Sequence, residues 1–477
     1  AREALASWSR TPAPIRGQVI GQVGQAITRQ KEALSRLISR EMGKTLKEAR
    51  GDVQEAIDTC EFFQSEGRRL YGQTVPSEMP DKELMTYRRP LGVVGIITAG
   101  NFPVAVPSWK LIPALLTGNT IVWKPSEDAP ACAYALVRIM HAAGVPKGAL
   151  NLVFGGGKDA AGAHLIAMMV EGLVVMMAFT GSTAVGRQVG EAAGRNLQQP
   201  TLELGGKNPL VVMRDADLTN AVQGALFSAF ATGGQRCTSA GNLIIDAPIY
   251  EEFRQRFLAE VRRIRIGDPL EHEDVLYGPF INERFFERWL EHYDWGEEEG
   301  ATLLHGHGRI TMERMPEGFS GDPGAGFYGW PTVWEDVRPG MRQFQEEIFG
   351  PTINLVRVDG IDQALEVANS VDYGLSSAIY TNSREWSYRF RENIEAGMTS
   401  INNTTNGAEA HMPFGGIKGS GNGARESGIW VIEAYTYWHG VNADVSGRLQ
   451  LAQMDTAYIE PAEEVDIEAL FATATLP

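Results

Sequence analysis

Apolar residues recur at helical spacing through the first seventy positions of the chain. Val53, Ile57, Cys60 and Phe63 form one such set, and their spacing of three or four residues would place them on one helix face. Between 72 and 90 this pattern gives way to rough alternation of polar and apolar residues, with prolines. We therefore predict packed helices followed by extended structure of the kind found at a sheet edge.

Short apolar runs then alternate with segments of helical spacing. We predict strands at 93–97, 120–124, 151–154 and 173–179, and helices at 129–143 and 182–195. This order is typical of parallel strands joined by right-handed crossovers, as in nucleotide-binding α/β domains.

A second alternating region follows Glu203. Its predicted strands are 242–245, 353–358, 376–381 and 399–402, and its predicted helices are 216–231, 247–264, 361–369 and 383–396. Residues 305–330, which are rich in Gly, Pro and Met, predict loops or a short hairpin, and a final strand is predicted at 435–442. The pattern indicates a second α/β domain.

Composition excludes several classes of protein. The chain has 477 residues, of which 43% are hydrophobic and only three are cysteines, so a disulfide framework is excluded and large buried cores are expected. The net charge of -16 argues against nucleic acid or an anionic membrane as the main partner. The longest uncharged apolar run, 173–179, is far shorter than the ~20 residues that span a bilayer. We expect a cytoplasmic, globular protein.

Cys237 lies in the segment GGQRCTSAG, 233–241, among glycines, hydroxyl groups and one arginine. A free cysteine is usually a small buried hydrophobe, and Cys60 and Cys132 fit that interpretation because they lie among apolar helix residues. The small polar neighbours of Cys237 instead predict an exposed loop in which a thiol can be activated. This cysteine is the candidate nucleophile.

Three other motifs are weaker when taken alone. FTGSTAVG, 179–186, is predicted to lie where a strand meets a helix, where backbone N–H groups can bind a pyrophosphate; an ordinary glycine turn is the alternative. Lys124 and Glu127 follow a predicted strand, where a carboxylate can bind ribose hydroxyls; a solvated turn is the alternative. Glu203 lies in an otherwise apolar segment, which favours the raised pKa of a general base.

Seven segments together resemble the aldehyde dehydrogenase superfamily. In family order and with family-like spacing, they are GNFP (100–103), WKP (123–125), FTGST (179–183), LELGGKNP around Glu203, GQRC (234–237), EEIFGP (346–351) and PFGGIKGSG (413–421). The resemblance extends from the first helices to the strand near 442. It implies an α/β fold with a Rossmann-type cofactor domain (1–71 and 91–205), an α/β catalytic domain (206–432) and a small β oligomerisation unit (72–90 and 433–447).

Homodimers or homotetramers are expected from this resemblance. The remaining segment, 448–477, is an acidic arm with too many apolar residues for a freely solvated tail. These residues are Leu449, Leu451, Met454, Tyr458, Ile459, Leu470 and Phe471. We predict that the arm docks on a neighbouring subunit.

The resemblance implies an NAD(P)-dependent aldehyde dehydrogenase (EC 1.2.1.-) that converts a small-molecule aldehyde to a carboxylic acid. Cys237 would form a thiohemiacetal and then a thioester, and Asn101 with the Cys237 backbone N–H would hold the oxyanion. Glu203 would activate the hydrolytic water. Lys110 and Glu426 match a proton relay, with two structural charges as the alternative, because SGNGARE is one residue longer than the commoner family form.

The implied cofactor is NAD, with NADP as the alternative, and no metal is implied. The matching cofactor-binding residues are Ile97, Lys124, Glu127, Gly157, Gly181, Ser182, Gly186, Glu347 and Phe349. Among these, Glu127 favours NAD because a carboxylate repels a 2′-phosphate.

Two other functions remain as alternatives. Members that acylate coenzyme A typically lack the glutamate that Glu203 matches, and a catalytically silent member would lack Cys237, Glu203 or Asn101. Pocket walls are expected from loops at 105–110, 227–236 and 403–411. Phe227, Phe230 and Trp109 indicate an apolar pocket, and no Arg or Lys is evidently placed for a substrate carboxylate, although a semialdehyde acid stays an alternative substrate.

Overall fold

A computed structural model describes residues 1–157, 160–456 and 465–472 of the chain. It divides into two compact units, one made of 1–70 with 90–437 and the other of 71–89 with 438–477. Tyr458 and Ile459 of the predicted arm lie outside the described residues. The further division of the first unit into cofactor and catalytic domains stays a prediction.

Helices make up most of the first seventy residues, and short strands follow. The helices are α1 (Arg2–Trp8), α2 (Ala13–Arg29), α3 (Lys31–Met42) and α4 (Leu46–Glu66), and the strands are β1 (Thr74–Val75) and β2 (Lys82–Pro90). Next come β3 (Val93–Ile97), α5 (Ala105–Leu116), β4 (Thr120–Lys124), α6 (Pro130–Ala142), β5 (Leu150–Leu152), α7 (Ala161–Val170), β6 (Met176–Thr180), α8 (Thr183–Arg195) and β7 (Thr201–Glu203).

The rest of the chain continues the alternation. Its first elements are β8 (Asn208–Val212), α9 (Leu218–Phe230), β9 (Ala240–Asp246), α10 (Tyr250–Val261), α11 (Glu283–Glu298), β10 (Thr302–His305), β11 (Thr332–Glu335), α12 (Arg342–Gln345) and β12 (Thr352–Val358). The last are α13 (Gly360–Asn369), β13 (Tyr373–Gly374), β14 (Ser376–Tyr380), α14 (Arg384–Asn393), β15 (Met398–Ile401), β16 (Ile417–Lys418), α15 (Val431–Ala434), β17 (Thr436–Asp444) and α16 (Ile467–Ala472).

The first parallel sheet has five strands in the order β5-β4-β3-β6-β7. The predicted strands at 93–97 and 120–124 are confirmed to the residue, and the predicted α/β class is confirmed. Strand β3 is central, with β4 and β5 on one side of it and β6 and β7 on the other. The carboxyl ends of β3, β4 and β6 therefore meet at one edge of the sheet, which is where open α/β sheets bind ligands.

Helix α5 corrects the expectation that 105–110 forms a loop at the pocket wall. The helix begins at Ala105, contains Pro107 and Pro113, and buries all twelve of its residues. A helix that is buried on every side has no solvent-facing polar stripe to mark its period, and two prolines favour a loop assignment, so the sequence does not indicate this helix.

The second sheet has seven strands in the order β10-β11-β12-β9-β8-β14-β15. All neighbouring pairs are parallel except β10 with β11. Buried side chains pack on both faces, including Phe253 and Phe257 on one face and Trp334 and Phe344 on the other. The predicted second α/β region is therefore present, with β8 and β9 at its centre.

The other two cysteines have structural positions. Cys60 and Cys132 are fully buried, as predicted. Cys60 lies against α2 at Gly24, where an added Cβ would be 2.9 Å from the Cys60 Cβ. Close helix packing therefore accounts for Cys60, and no chemistry need be assigned to it.

The second unit contains a three-stranded sheet in the order β1-β2-β17, which confirms the extended structure predicted at 72–90 and the late strand. The chain after β17 returns to the loop before β2, where Val445 N donates to Asp81 O at 2.9 Å and Gln450 Nε2 donates to Pro80 O at 2.9 Å. Among the described helices, none is both long and apolar enough to cross a bilayer.

Candidate active site

A cavity of about 1700 Å³ opens at the carboxyl ends of the strands in the first unit. Segments that follow β3, β4, β6 and β7 line one side, and the cysteine turn before β9 lines the other. Typical small-molecule sites occupy roughly 300–1,000 Å³. The cavity is thus large enough for a dinucleotide and a second ligand together.

The cavity brings together most of the site residues predicted from sequence. Asn101, Glu127, Gly181, Ser182, Glu203, Cys237, Glu347 and Phe349 line it. The predicted residues Ile97, Lys124, Gly157, Gly186, Lys110 and Glu426 do not. Lys124 nevertheless reaches the lining, since its Nζ lies 3.1 Å from Glu127 Oε2.

The segment around Cys237 is not the exposed loop that its composition indicated. Residues 231–235 are buried, and Cys237 is half-buried at the cavity wall. Gly234 has φ +68°, and a Cβ there would lie 2.0 Å from Gly350 O. The glycines are needed because two backbone segments touch, rather than because solvent surrounds them.

Asn208, at the start of β8, holds the cysteine turn in place. Its Nδ2 donates to Cys237 O at 2.8 Å and to Ser239 O at 2.7 Å, and its Oδ1 accepts from Ser376 N at 2.9 Å. The side chain is 1% exposed, so these bonds are shielded from water. The turn is thereby fixed to two strands of the second sheet.

Glu48 of α4 holds the same turn from the opposite side. Thr45 caps α4, and its hydroxyl accepts from Glu48 N and donates to Glu48 Oε2. The other carboxylate oxygen, Oε1, accepts from Thr232 Oγ1 at 2.9 Å and from Arg236 Nη2 at 2.8 Å. The helix start and the cysteine turn are therefore one hydrogen-bonded assembly.

Glu203 and Cys237 interact within the cavity and alter each other's acidity. Burial, followed by the charge of Glu426, raises the pKa of Glu203 to about 8, and its Oε1 has no hydrogen-bond partner among the described residues. Burial, followed by the charges of Glu203 and Glu347, raises the pKa of the Cys237 thiol well above its usual value. The thiol is therefore protonated at neutral pH, and most of the Glu203 carboxyl is protonated too, so Glu203 can accept the thiol proton only in its ionised fraction.

Asn101 and the pair Lys110–Glu426 complete the predicted catalytic set. Asn101 Nδ2 donates one hydrogen to Gln235 O at 3.0 Å, and an amide carries a second hydrogen that can bond a ligand oxygen. Lys110 and Glu426 form a buried ion pair, which lies close enough to Glu203 to affect its pKa in opposite directions. The extra residue in SGNGARE does not prevent this pairing.

The described residues fit a dinucleotide. Ser182 caps the N-terminus of α8, so the free N–H groups of the first turn and the helix dipole can bind a phosphate. A Cβ on Gly205 would lie 2.4 Å from Glu347 Oε2, so only glycine admits the close approach of this carboxyl. Burial raises the pKa of Glu347 to about 7, and its Oε1 accepts from Gly206 N at 3.0 Å. Among the described residues, no cluster of three or more His, Cys, Asp or Glu residues could hold a metal ion.

The structure changes the predicted substrate pocket in two respects. Phe227 and Trp109 line the cavity, as predicted. The prediction for Phe230 is wrong, since this residue is fully buried at the end of α9, with its ring centre 6.3 Å from that of Phe257. Arg236, which sequence analysis did not select as a substrate-binding cation, lines the cavity next to Cys237. The position of Arg236 next to Cys237 in the sequence was the available signal, but the orientation of the Arg236 side chain depends on Glu48.

Comparison with known proteins identifies a single family. Residues 1–441 match the model of the aldehyde dehydrogenase family. Alpha-ketoglutaric semialdehyde dehydrogenase of Bacillus subtilis is 37% identical, with 91% of this chain and 87% of that protein covered. Alpha-ketoglutarate semialdehyde dehydrogenase of Haloferax volcanii is 38% identical, with 90% and 86% covered. The crystal structure of Staphylococcus aureus betaine aldehyde dehydrogenase in complex with NAD+ superposes with a TM-score of 0.89 at 31% identity, with 94% and 86% covered.

The raised pKa of Glu203 predicts a pH-dependent stability effect. In the unfolded chain this carboxyl ionises near 4.5, whereas in the fold it keeps its proton to about pH 8. The folded state therefore binds more protons between these values, and the stability contributed by Glu203 falls as pH rises through that window. Glu203→Gln, which cannot ionise, should melt several degrees higher than the wild type at pH 9, with a smaller gain at pH 5. Melting temperatures equal to the wild type at both pH values would contradict this prediction.

Proposed function

The chain belongs to the aldehyde dehydrogenase family, and from this premise we propose that it oxidises an aldehyde to a free carboxylic acid through a thioester on Cys237. Oxidation of aldehydes, EC 1.2.1.-, is the activity of the family and its relatives. The observation that carries the finer proposal is that Cys237, Glu203 and Asn101 all line one cavity.

The first step is attack of the Cys237 sulfur on the aldehyde carbon. The thiol proton passes to Glu203 in its ionised form, which is the minor form at neutral pH because the pKa of Glu203 is about 8, and which becomes the major form above that pH. A carbon–sulfur bond forms as the carbonyl π bond breaks, and the resulting oxyanion accepts hydrogen bonds from Asn101 Nδ2 and the Cys237 backbone N–H. Donors of this kind are commonly worth about 3–4 kcal/mol each.

NAD, when bound, supplies the acceptor for the hydride that leaves the substrate carbon. Lys124 and Glu127 would hold the adenosine ribose, Gly181 and Ser182 with the start of α8 the pyrophosphate, and Glu347 with Phe349 the nicotinamide end. The fit of the cleft and the NAD+ complex of the Staphylococcus aureus enzyme support this assignment.

Hydrolysis of the thioester returns the enzyme to its starting state. Glu203 takes a proton from water, the oxygen attacks the acyl carbon, and the carbon–sulfur bond breaks to release the acid and the Cys237 thiolate, which takes the proton back from Glu203. Glu426 contacts Lys110, and both act on the Glu203 charge, so they provide a route for the proton to leave the buried base.

We further propose that the aldehyde carries a carboxylate. The named activities of the Bacillus subtilis and Haloferax volcanii relatives concern semialdehydes of a dicarboxylic acid. In this chain Arg236 lines the cavity beside Cys237 and lies near Phe102 and Phe227, with its guanidinium carbon 5.3 and 5.5 Å from their ring centres. An arginine between aromatic rings binds a carboxylate in a position shielded from water.

The chain is also proposed to form homodimers or homotetramers in which the arm contacts a neighbouring subunit. The described start of the arm is tied to 80–81, yet Leu449, Met454 and Phe471 remain 83%, 79% and 69% exposed. Apolar side chains exposed to this extent are typical of an interaction surface.

Replacement of Glu203 tests the hydrolytic mechanism. Glu203→Gln removes the base and also a charge that raises the Cys237 pKa, so at pH 9 the thiol should still acylate while hydrolysis slows at least 100-fold. Intact-mass spectrometry should then detect an acyl group on Cys237, and Cys237→Ser should show neither adduct nor NADH formation. Full turnover in Glu203→Gln without an adduct, or turnover that requires coenzyme A, would refute the proposal.

The substrate class is tested with matched aldehydes and Arg236→Gln. The wild type should prefer 4-oxobutanoate to butanal, and the variant should raise KM for 4-oxobutanoate about tenfold, because a charge-assisted pair to the carboxylate is lost. Its KM for butanal should rise by a smaller factor, and the difference between the two aldehydes separates the lost carboxylate contact from any shift of the turn that Arg236 and Glu48 hold. An equal loss for both aldehydes would assign Arg236 a structural role.

Deletion of 448–477 tests the arm. The truncated chain should lose part of its subunit assembly and melt at a lower temperature, since apolar surface buried between subunits is removed. Analytical ultracentrifugation and thermal melts at matched subunit concentration measure both effects. Unchanged mass and melting temperature would refute docking.

A further inference from the structure

Glu55 of α4 is an acidic side chain of the cavity lining that the proposed reaction does not use. The residue is half-buried, while its Oε1 is shielded from solvent and has no hydrogen-bond partner among the described residues. A shielded carboxyl oxygen without a partner is unfavourable, and such groups are rare in native proteins. A ligand in the cavity is therefore a candidate partner for this carboxyl.

Helix α4 carries three acids on one face. Glu48, Asp52 and Glu55 are separated by four and three residues, which places them in a row along the helix. Glu48 accepts a hydrogen bond from Arg236 Nη2 at 2.8 Å. Asp52 accepts one from Lys44 Nζ, also at 2.8 Å. The third acid differs, because the Oε1 of Glu55 has no such partner in the described part of the chain.

The surroundings of Glu55 favour its neutral form. Burial first, and then the charge of Asp52, raises the pKa of Glu55 to about 8. The charges of Lys44 and Arg236 act in the opposite direction, and that of Asp58 acts in the same direction as Asp52. At neutral pH the Glu55 carboxyl therefore carries a hydrogen that it can donate.

Glu55 and Arg236 both line the cavity and lie close enough for the charge of Arg236 to affect the pKa of Glu55. A neutral carboxyl and a guanidinium are both hydrogen-bond donors, so together they suit a negatively charged acceptor. A carboxyl rotates broadly about its last bond, so either oxygen of Glu55 can face the cavity.

We infer that Glu55 is a specificity-determining residue, which donates a hydrogen bond from its carboxyl to the same substrate carboxylate that Arg236 binds. The inference rests on the proposed function, since it takes Arg236 as a partner of that carboxylate. An ionised Glu55 repels the substrate carboxylate, so the neutral form of Glu55 is the one that binds substrate. The contact is a hydrogen bond, and no covalent step is involved.

The test compares two aldehydes at two pH values. KM is measured at pH 7 and pH 9, with saturating NAD, for 4-oxobutanoate, which carries a carboxylate, and for butanal, which lacks it. The specificity ratio is KM for 4-oxobutanoate divided by KM for butanal. Ionisation of Glu203 and Cys237 affects both aldehydes, so this ratio isolates the contact to the carboxylate.

Two variants of Glu55 separate its hydrogen bond from its charge. Glu55→Gln can donate a hydrogen bond but cannot ionise, and Glu55→Leu can do neither. Asp58→Asn is the matched control, because Asp58 is an exposed acid of the same helix that also lines the cavity.

In the wild type the specificity ratio should rise about tenfold from pH 7 to pH 9, because the neutral fraction of Glu55 falls by that factor when its pKa is about 8. In Glu55→Gln the ratio should change less than twofold over this range and should lie below that of the wild type at pH 9. Glu55→Leu should raise the ratio about tenfold at pH 7, with no further rise at pH 9. Asp58→Asn should keep the pH dependence of the wild type.

Four results would overturn the inference while leaving the proposed function intact. They are a wild-type ratio that is equal at both pH values, a rise that persists in Glu55→Gln, an unchanged ratio in Glu55→Leu at pH 7, and loss of the rise in Asp58→Asn. If the wild type did not prefer 4-oxobutanoate to butanal at pH 7, this inference and the carboxylate-bearing substrate of the proposed function would both fail.

Discussion

The side-chain amide of Asn208 is the constraint on which the candidate site depends. It joins the carbonyls of Cys237 and Ser239 to the backbone N–H of Ser376, and so fixes the cysteine turn to the second sheet. The amide is buried, so loss of these bonds would leave several unpaired polar groups away from water. A nucleophile must be held within a fraction of an ångström of its working position, and a buried network provides that rigidity where a loop alone would not.

The environment of the turn then determines which chemistry is available. The same burial that fixes Cys237 opposes ionisation of its thiol and of Glu203, so both groups hold a proton at neutral pH and their titrations are coupled. Lys110 and Glu426 act on the charge of Glu203 from outside the cavity lining. The proposed cycle requires the thiol and then water to lose a proton, and the ionised fraction of Glu203 sets how readily each transfer occurs.

Sequence alone predicted the elements with strong local signals. The strands at 93–97 and 120–124 are short runs of buried residues bounded by turn signals, and most of the site residues that motif resemblance selected line the cavity. Helix α5 was missed because it has no polar face. The predicted environment of Cys237 was wrong because small residues are common both in exposed loops and at close backbone contacts. Only the position of Gly350 in the fold distinguishes these two cases. The orientation of the Arg236 side chain depends on Glu48, which lies far away in the sequence.

The buried acids of the cavity also change the charge carried by the whole molecule. The formal net charge of -16 counts every carboxyl as ionised, yet the pKa values of Glu55 and Glu203 are about 8 and that of Glu347 is about 7. Lys207, whose pKa is about 7, offsets part of this difference. At neutral pH these four groups together hold about two more protons in the native protein than in the unfolded chain. Folding of this chain is a proton-uptake reaction, and an alkaline medium opposes it by mass action.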